Sequence, residues 1–191
     1  MAQAHLKKTL TEAEYLALEA VATVRHEFVG GEMHAMAGAS ERHNLIAGNL
    51  YLKLRSTSRA GSCRAFMTDM KLRISKDDVY YYPDVMLTCD PSDSHPMHKE
   101  TPCFIAEVLS PATAKIDQRE KLQAYKSIPS VHYYLIVDSD RVSAKVHKRG
   151  DGGQWLEMEL STENDFVVDC GDARCLITLD DIYQDTDLPV R

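Results

Sequence analysis

Tyr82-Pro-Asp-Val85, then Phe104-Ile-Ala-Glu-Val-Leu-Ser110 after a polar loop, then the helix-like run Lys115 to Ser127 carrying Lys121: this stretch decides how the 191-residue chain is read. Two acidic side chains, Asp84 and Glu107, sit in apolar runs of strand character. Buried carboxylates are costly without a cation between them. A hard divalent ion such as Mg²⁺ or Mn²⁺, which takes one or two carboxylates plus waters and substrate phosphate, answers that cost. Each acid taken singly is equally readable as a buried salt-bridge partner.

Working outward, Val79 to Thr88 reads as one strand whose alternation puts Asp84 on the face of Tyr80, Tyr82 and Met86, and Glu107 shares a face with Ile105 and Leu109. Arg64 to Ile74 reads as the strand before it, with Lys76-Asp77-Asp78 as the turn. Downstream, Ser110-Pro111 interrupts the Glu107 strand and a helix runs from about Ala114 until Pro129 forbids it. On that helix Asp117, Lys121 and Tyr125 recur at intervals of four and share a face. An Asp117–Lys121 pair alone is a surface salt bridge of a few tenths of a kcal/mol. The helix follows the Glu107 strand directly, however, so its lysine can reach back over the strand's end.

Upstream, Thr11 with Glu14 forms a capping-box pattern opening a short helix, and Gly30-Gly31 supplies the positive φ angles of a hairpin turn between Arg25–Val29 and Glu32–Ala37. Ser40 caps a longer helix through Arg59. Beyond Pro129, strands are expected at Val131–Asp138, Val142–Lys148 and Trp155–Leu160, with further short strands from Phe166 to Tyr183. The element order is α/β, a mixed central sheet flanked by helices, with extra strands at both ends. One domain, 1–191, accommodates the length.

No run of about 18 apolar residues is present, and the N-terminus lacks the apolar core of a secretion signal, so a cytoplasmic protein with no membrane contact is expected. The five cysteines have neither zinc-site nor redox-dithiol spacing and read as reduced packing residues. His95 and His98 have metal-like spacing in a polar loop, where solvated histidines are the commoner case. The net charge of -7 excludes a uniformly basic nucleic-acid binder. Yet residues 41 to 76 hold eight bases against two acids, and from Asp151 onward eleven acids face two bases. The basic segment is readable either as a solvated face or as a phosphate-contacting one.

The ordered series Arg25-His-Glu-Phe-Val-Gly-Gly-Glu-Met33, Ser40-Glu-Arg-His-Asn44, Tyr82-Pro-Asp-Val85, Glu107-Val-Leu-Ser-Pro-Ala-Thr113, Asp117 with Lys121 and Tyr125, and Val131-His-Tyr-Tyr-Leu-Ile-Val-Asp138 resembles the PD-(D/E)XK nuclease superfamily. More narrowly it resembles the Uma-two family of restriction-endonuclease-like proteins. The resemblance implies a restriction-endonuclease-like core in which Asp84 and Glu107 bind Mg²⁺ or Mn²⁺ together with a backbone carbonyl near Val108. It further implies that Lys121 replaces from the helix the lysine that the usual pattern places two residues after Glu107, where Leu109 stands. Glu27 and His43 fall in the family's N-terminal motifs and are candidates to complete the pocket, although a hairpin surface charge and a helix histidine held by a neighbour are the plainer readings. The implied activity is metal-dependent hydrolysis of DNA phosphodiester bonds, with a homodimer needed to cut both strands. Two alternatives stay open: a catalytically silent nucleic-acid or protein interaction module on the same fold, and a hydrolase of smaller phosphate esters.

Overall fold

The computed structural model describes residues 9–59, 61–74, 78–109, 117–164 and 166–190, with 117–119 described by their backbone alone. Helix α1 (Glu12–Val21) opens with the expected reciprocal cap between Thr11 and Glu14. Strands β1 (His26–Val29) and β2 (Glu32–Ala35) pair through the Gly30-Gly31 turn, where φ is +60° and +81°. A side chain at position 31 would also strike Thr9, so glycine is required there twice over. Helix α2 (Glu41–Ser58) begins at Ser40, whose hydroxyl accepts the His43 amide hydrogen.

The next two expected strands are each divided. Arg64–Ile74 forms β3 (Arg64–Met67) and β4 (Lys71–Ile74), and Val79–Thr88 forms β5 (Val79–Tyr81) and β6 (Val85–Thr88). In each case the two halves lie in different sheets. Pro83 explains the second break, since it has no amide hydrogen for a ladder. The single alternating face proposed for Tyr80, Tyr82 and Asp84 is therefore corrected. Strand β7 (His98–Lys99), inside the loop expected to be irregular, pairs in parallel with β4.

Strand β8 (Pro102–Leu109) is followed by α3 (Asp117–Ser127), β9 (Tyr133–Asp138), β10 (Ala144–Arg149), β11 (Trp155–Glu159), β12 (Phe166–Cys170), β13 (Ala173–Ile177) and α4 (Leu179–Tyr183). A mixed six-stranded sheet runs β11-β10-β9-β8-β6-β3, with β8 and β9 parallel; a second sheet runs β2-β1-β5-β4-β7; β12 and β13 form a hairpin. Alternation along β8 sorts its side chains. Phe104, Ala106 and Val108 enter the larger core with α2, α4 and the β12–β13 hairpin, whereas Ile105 and Leu109 enter the core around Tyr125 and Ile128. Glu107 is thereby committed to the α3 side.

The cysteine reading is also corrected. Cys63 is bonded to Cys89 and Cys103 to Cys170, and Cys175 is free and buried. The first pair flanks the antiparallel partners Arg64 and Thr88, and the second ties β8 to β12. Spacing along the chain carries no trace of either pairing.

Candidate active site

Strand β6 pairs antiparallel with β8 so that Val85 faces Ala106; one step further along the same register, Asp84 faces Glu107. Residues directly opposite in an antiparallel pair share a face. Both carboxylates are buried, at 6% and 7% exposure, and Lys121 on α3 is buried at 7%. Lys121 Nζ lies 2.8 Å from Glu27 Oε1 and 3.4 Å from Glu107 Oε1. The helix lysine does reach back over the strand. Its expected partner Asp117 has a side chain outside the described residues.

His43, in the first turn of α2, places Nε2 3.2 Å from Asp84 Oδ2, and the same oxygen accepts the Val108 amide hydrogen at 2.7 Å. Tyr125, one turn beyond Lys121, donates its hydroxyl to Glu107 Oε1 at 2.6 Å. The Tyr82 amide points to Glu27 Oε1 at 3.4 Å. All five candidate residues, Glu27, His43, Asp84, Glu107 and Lys121, line one cavity of about 280 Å³ together with Thr68, Tyr82 and the 34–40 segment. Thr68 holds a φ of 25° there, a left-handed conformation rare for a β-branched residue, and its amide donates to the Asp84 carbonyl. Glu27 is an ion-pair partner of Lys121 and not a free surface charge, and His43 is a helix histidine held by a neighbour, that neighbour being Asp84.

Burial raises the Glu107 pKa. Lys121 opposes that shift, while the charges of Asp84 and Glu27 add to it. For His43, burial disfavours the protonated ring, yet the hydrogen bond and charge of Asp84, with Glu107 behind it, outweigh burial and hold the pKa above its ordinary value. The donor set suits a hard cation with few protein ligands. Asp84 Oδ1 and Glu107 Oε2 accept no hydrogen bond from any described residue. Among the described residues no three His, Cys, Asp or Glu side chains gather in an arrangement that could hold a metal ion.

The sequence profile of the Uma2 family, described as "Putative restriction endonuclease", matches residues 12–171. The chain belongs to the Uma2 family. Two Synechocystis proteins are similar to it: uncharacterized protein sll1609, 37% identical over 160 residues (82% of this chain and 90% of that one), and uncharacterized protein slr1290, 34% identical over 148 residues (77% and 78%). A crystal structure of a "putative nuclease belonging to DUF820" from Anabaena variabilis superposes with a TM-score of 0.68 at 16% identity, covering 91% of this chain and 97% of that chain. At that identity the likeness establishes the restriction-endonuclease-like fold.

Within this Uma2 site, sequence reasoning placed Tyr125 on the right helix face without giving it a task, and it missed His34 and Thr68. His34 was within reach, because the Gly-Gly turn register sets it opposite Glu27. Three of the eight bases in the segment read as solvated or phosphate-contacting are engaged by acids of the chain itself. Arg42 forks onto Asp187 at 2.6 and 2.8 Å, Lys53 binds Asp181 at 2.6 Å, and Arg73 bridges Glu12 and Glu100, each at 2.8 Å. Asp181 and Asp187 of the acidic C-terminal region thus pair with two bases of α2. His95 and His98 stack ring on ring at 3.7 Å, and His98 meets Glu100 rather than a shared coordination point.

No helix among the described residues is long and apolar enough to cross a membrane.

Proposed function

We propose that this chain is a Mg²⁺- or Mn²⁺-dependent endonuclease that hydrolyses DNA phosphodiester bonds. The observation supporting it most directly is the convergence of Asp84, Glu107 and Lys121, all under a tenth exposed, on one cavity. Asp84 Oδ1 and Glu107 Oε2, with a backbone carbonyl near Val108, would hold the ion. When bound, a divalent ion polarises the scissile phosphate and lowers the pKa of an attacking water.

The chain's own residues supply the rest. Lys121, kept in place by Glu27, offers its ammonium to the charge that builds on the phosphate or to the oriented water. His43 and the Val108 amide fix Asp84 Oδ2, so the other oxygen keeps its aim. Two strands of a duplex require two such sites, and we place the second in a second copy of the chain. The sheet's edge strand β11, with Leu156 and Met158 exposed, is the surface proposed for that contact.

The test is nicking of supercoiled plasmid with MgCl2 or MnCl2, comparing the native chain with Asp84→Ala, Glu107→Ala and Lys121→Ala. Cleavage by the native chain alone, with all four proteins folded, is the expected result. DNA binding with an ordinary salt slope, no cleavage and no metal dependence would select the silent interaction module instead. Turnover of small phosphate esters without polymer cleavage would select the third reading.

A further inference from the structure

Two polar side chains of the cavity serve no contact within the chain. His34 and Thr68 line the same space as Asp84, Glu107 and Lys121, yet no described residue bonds the side chain of either, whereas each of the other polar side chains there has a partner. Both are exposed, so they stand at the mouth, while the two acids and the lysine are under a tenth exposed. Their positions are nonetheless fixed. The register of the β1–β2 hairpin sets His34 opposite Glu27, and the Thr68 amide donates to the Asp84 carbonyl at 3.2 Å. Thr68 holds its left-handed φ of 25° in doing so, an outlier of the kind that clusters at binding sites.

We propose that His34 and Thr68 bind the phosphate next to the scissile one, so that the site takes a polynucleotide strand rather than a lone phosphate ester. The inference rests on the nuclease reading above and names the substrate class of that same site. A strand that lays one phosphate on the buried acids leaves its neighbour at the mouth, where an imidazole N–H and a hydroxyl can each donate to a non-bridging oxygen. Donors free of an attached acid are what a phosphate needs there, because the cavity already carries Glu27, Asp84 and Glu107 against Lys121 and His43. The bases at hand are engaged: Arg25 is bonded to Asp69, the residue after Thr68, and Lys121 to Glu27. Since His34 is fixed opposite Glu27 and Thr68 to the backbone of Asp84, a grip on the second phosphate also sets the first in register.

The test is a double-mutant cycle on a short DNA duplex taken from around a plasmid nick mapped for the native full chain, with MnCl2 present. In companion duplexes a single methylphosphonate, which lacks the anionic oxygen, replaces each phosphate flanking the cut in turn. His34→Ala and Thr68→Ala should each raise KM about tenfold with kcat little changed, the mark of a lost hydrogen bond to a charged group. One flanking methylphosphonate should cost the native chain a similar factor and cost the two variants almost nothing further, because the contact is already gone. His34→Gln and Thr68→Ser keep a donor and should recover most of the loss. Both positions are exposed, so all four variants should melt with the native chain. Unchanged KM in both Ala variants, or losses that multiply with the methylphosphonate at every flanking position, overturns the proposal while leaving the nuclease reading intact. Failure of the nuclease reading looks different: the native chain then makes no nick, and the proposal falls with it.

Discussion

Lys121→Met keeps the length of the side chain and removes only its charge, which isolates what the ammonium does between two buried acids. Nζ stands 2.8 Å from Glu27 and 3.4 Å from Glu107. At an effective dielectric of about 20, each attraction amounts to roughly 5 kcal/mol before the desolvation of the amine is counted. Removing one partner from a buried ionic group costs about 3–5 kcal/mol net, because the remaining charges are stranded. Protonation offers an escape. Burial already pushes Glu107 upward, and Lys121 is the principal opposing influence. A carboxyl whose folded pKa lies above its unfolded value loses stability as pH rises from the unfolded toward the folded pKa. The penalty should therefore be small near pH 5, where the acids can bind protons, and reach about 3 kcal/mol near pH 8.5. For a chain of this size that is a drop of roughly 6–12 °C in melting temperature at the higher pH. Thermal melts with EDTA at both pH values measure it, and MnCl2 should restore part of the loss at pH 8.5 by replacing one cation with another. Equal losses at the two pH values, with no response to Mn²⁺, would mean that Lys121 contributes packing alone and the argument from converging charge is wrong.

Mn²⁺ affinity measured by calorimetry should climb from pH 6 through pH 8 and level off only about one unit higher, since ligation requires a deprotonated Glu107 whose pKa burial pushes up to about 8; a flat profile would remove Glu107 from the ligand set. Glu12 is the opposite case: hydrogen bonds from Tyr80 and Arg73 hold its pKa below the ordinary value, so its stabilisation is complete above the unfolded pKa and fades as pH falls through the lowered one. Glu12→Gln should accordingly cost about 1–2 kcal/mol in urea unfolding at pH 7 and almost nothing below about pH 3, and a cost that persists in acid would contradict this. Arg42→Ala and Lys53→Ala should each leave the slope of log DNA affinity against log salt nearly unchanged, because Asp187 and Asp181 already hold those bases. A fall of about 0.9 in the slope would show that the ion pairs open to grip phosphate.

The sequence by itself determined what depends on neighbours along the chain. Thr11 with Glu14, the Gly30-Gly31 turn, Ser40 as a helix cap, the β8 run and the stop at Pro129 are all local chemistry, and each element stands within a few residues of where it was expected. Asp84, Glu107 and Lys121 were legible as candidates for the same reason: an acid in an apolar run is anomalous without any structure, and the motif order adds the lysine on the following helix. Glu27 and His43 came from motif resemblance, and only coordinates bring them to the same cavity.

Other features were decided by the tertiary structure. The division of Val79–Thr88 between two sheets, the pairing of β7 with β4, the two disulfides, and the reach of Arg42 to Asp187 across 145 residues all join segments far apart in sequence. Alternation specifies that a strand has a buried face, but not which other strand covers it, because that choice is made by burial and loop closure summed over the whole chain. The same limit hid the task of Tyr125. Its helix face was readable from intervals of four, but its hydroxyl acquires a partner only when β8 and α3 pack together around Glu107.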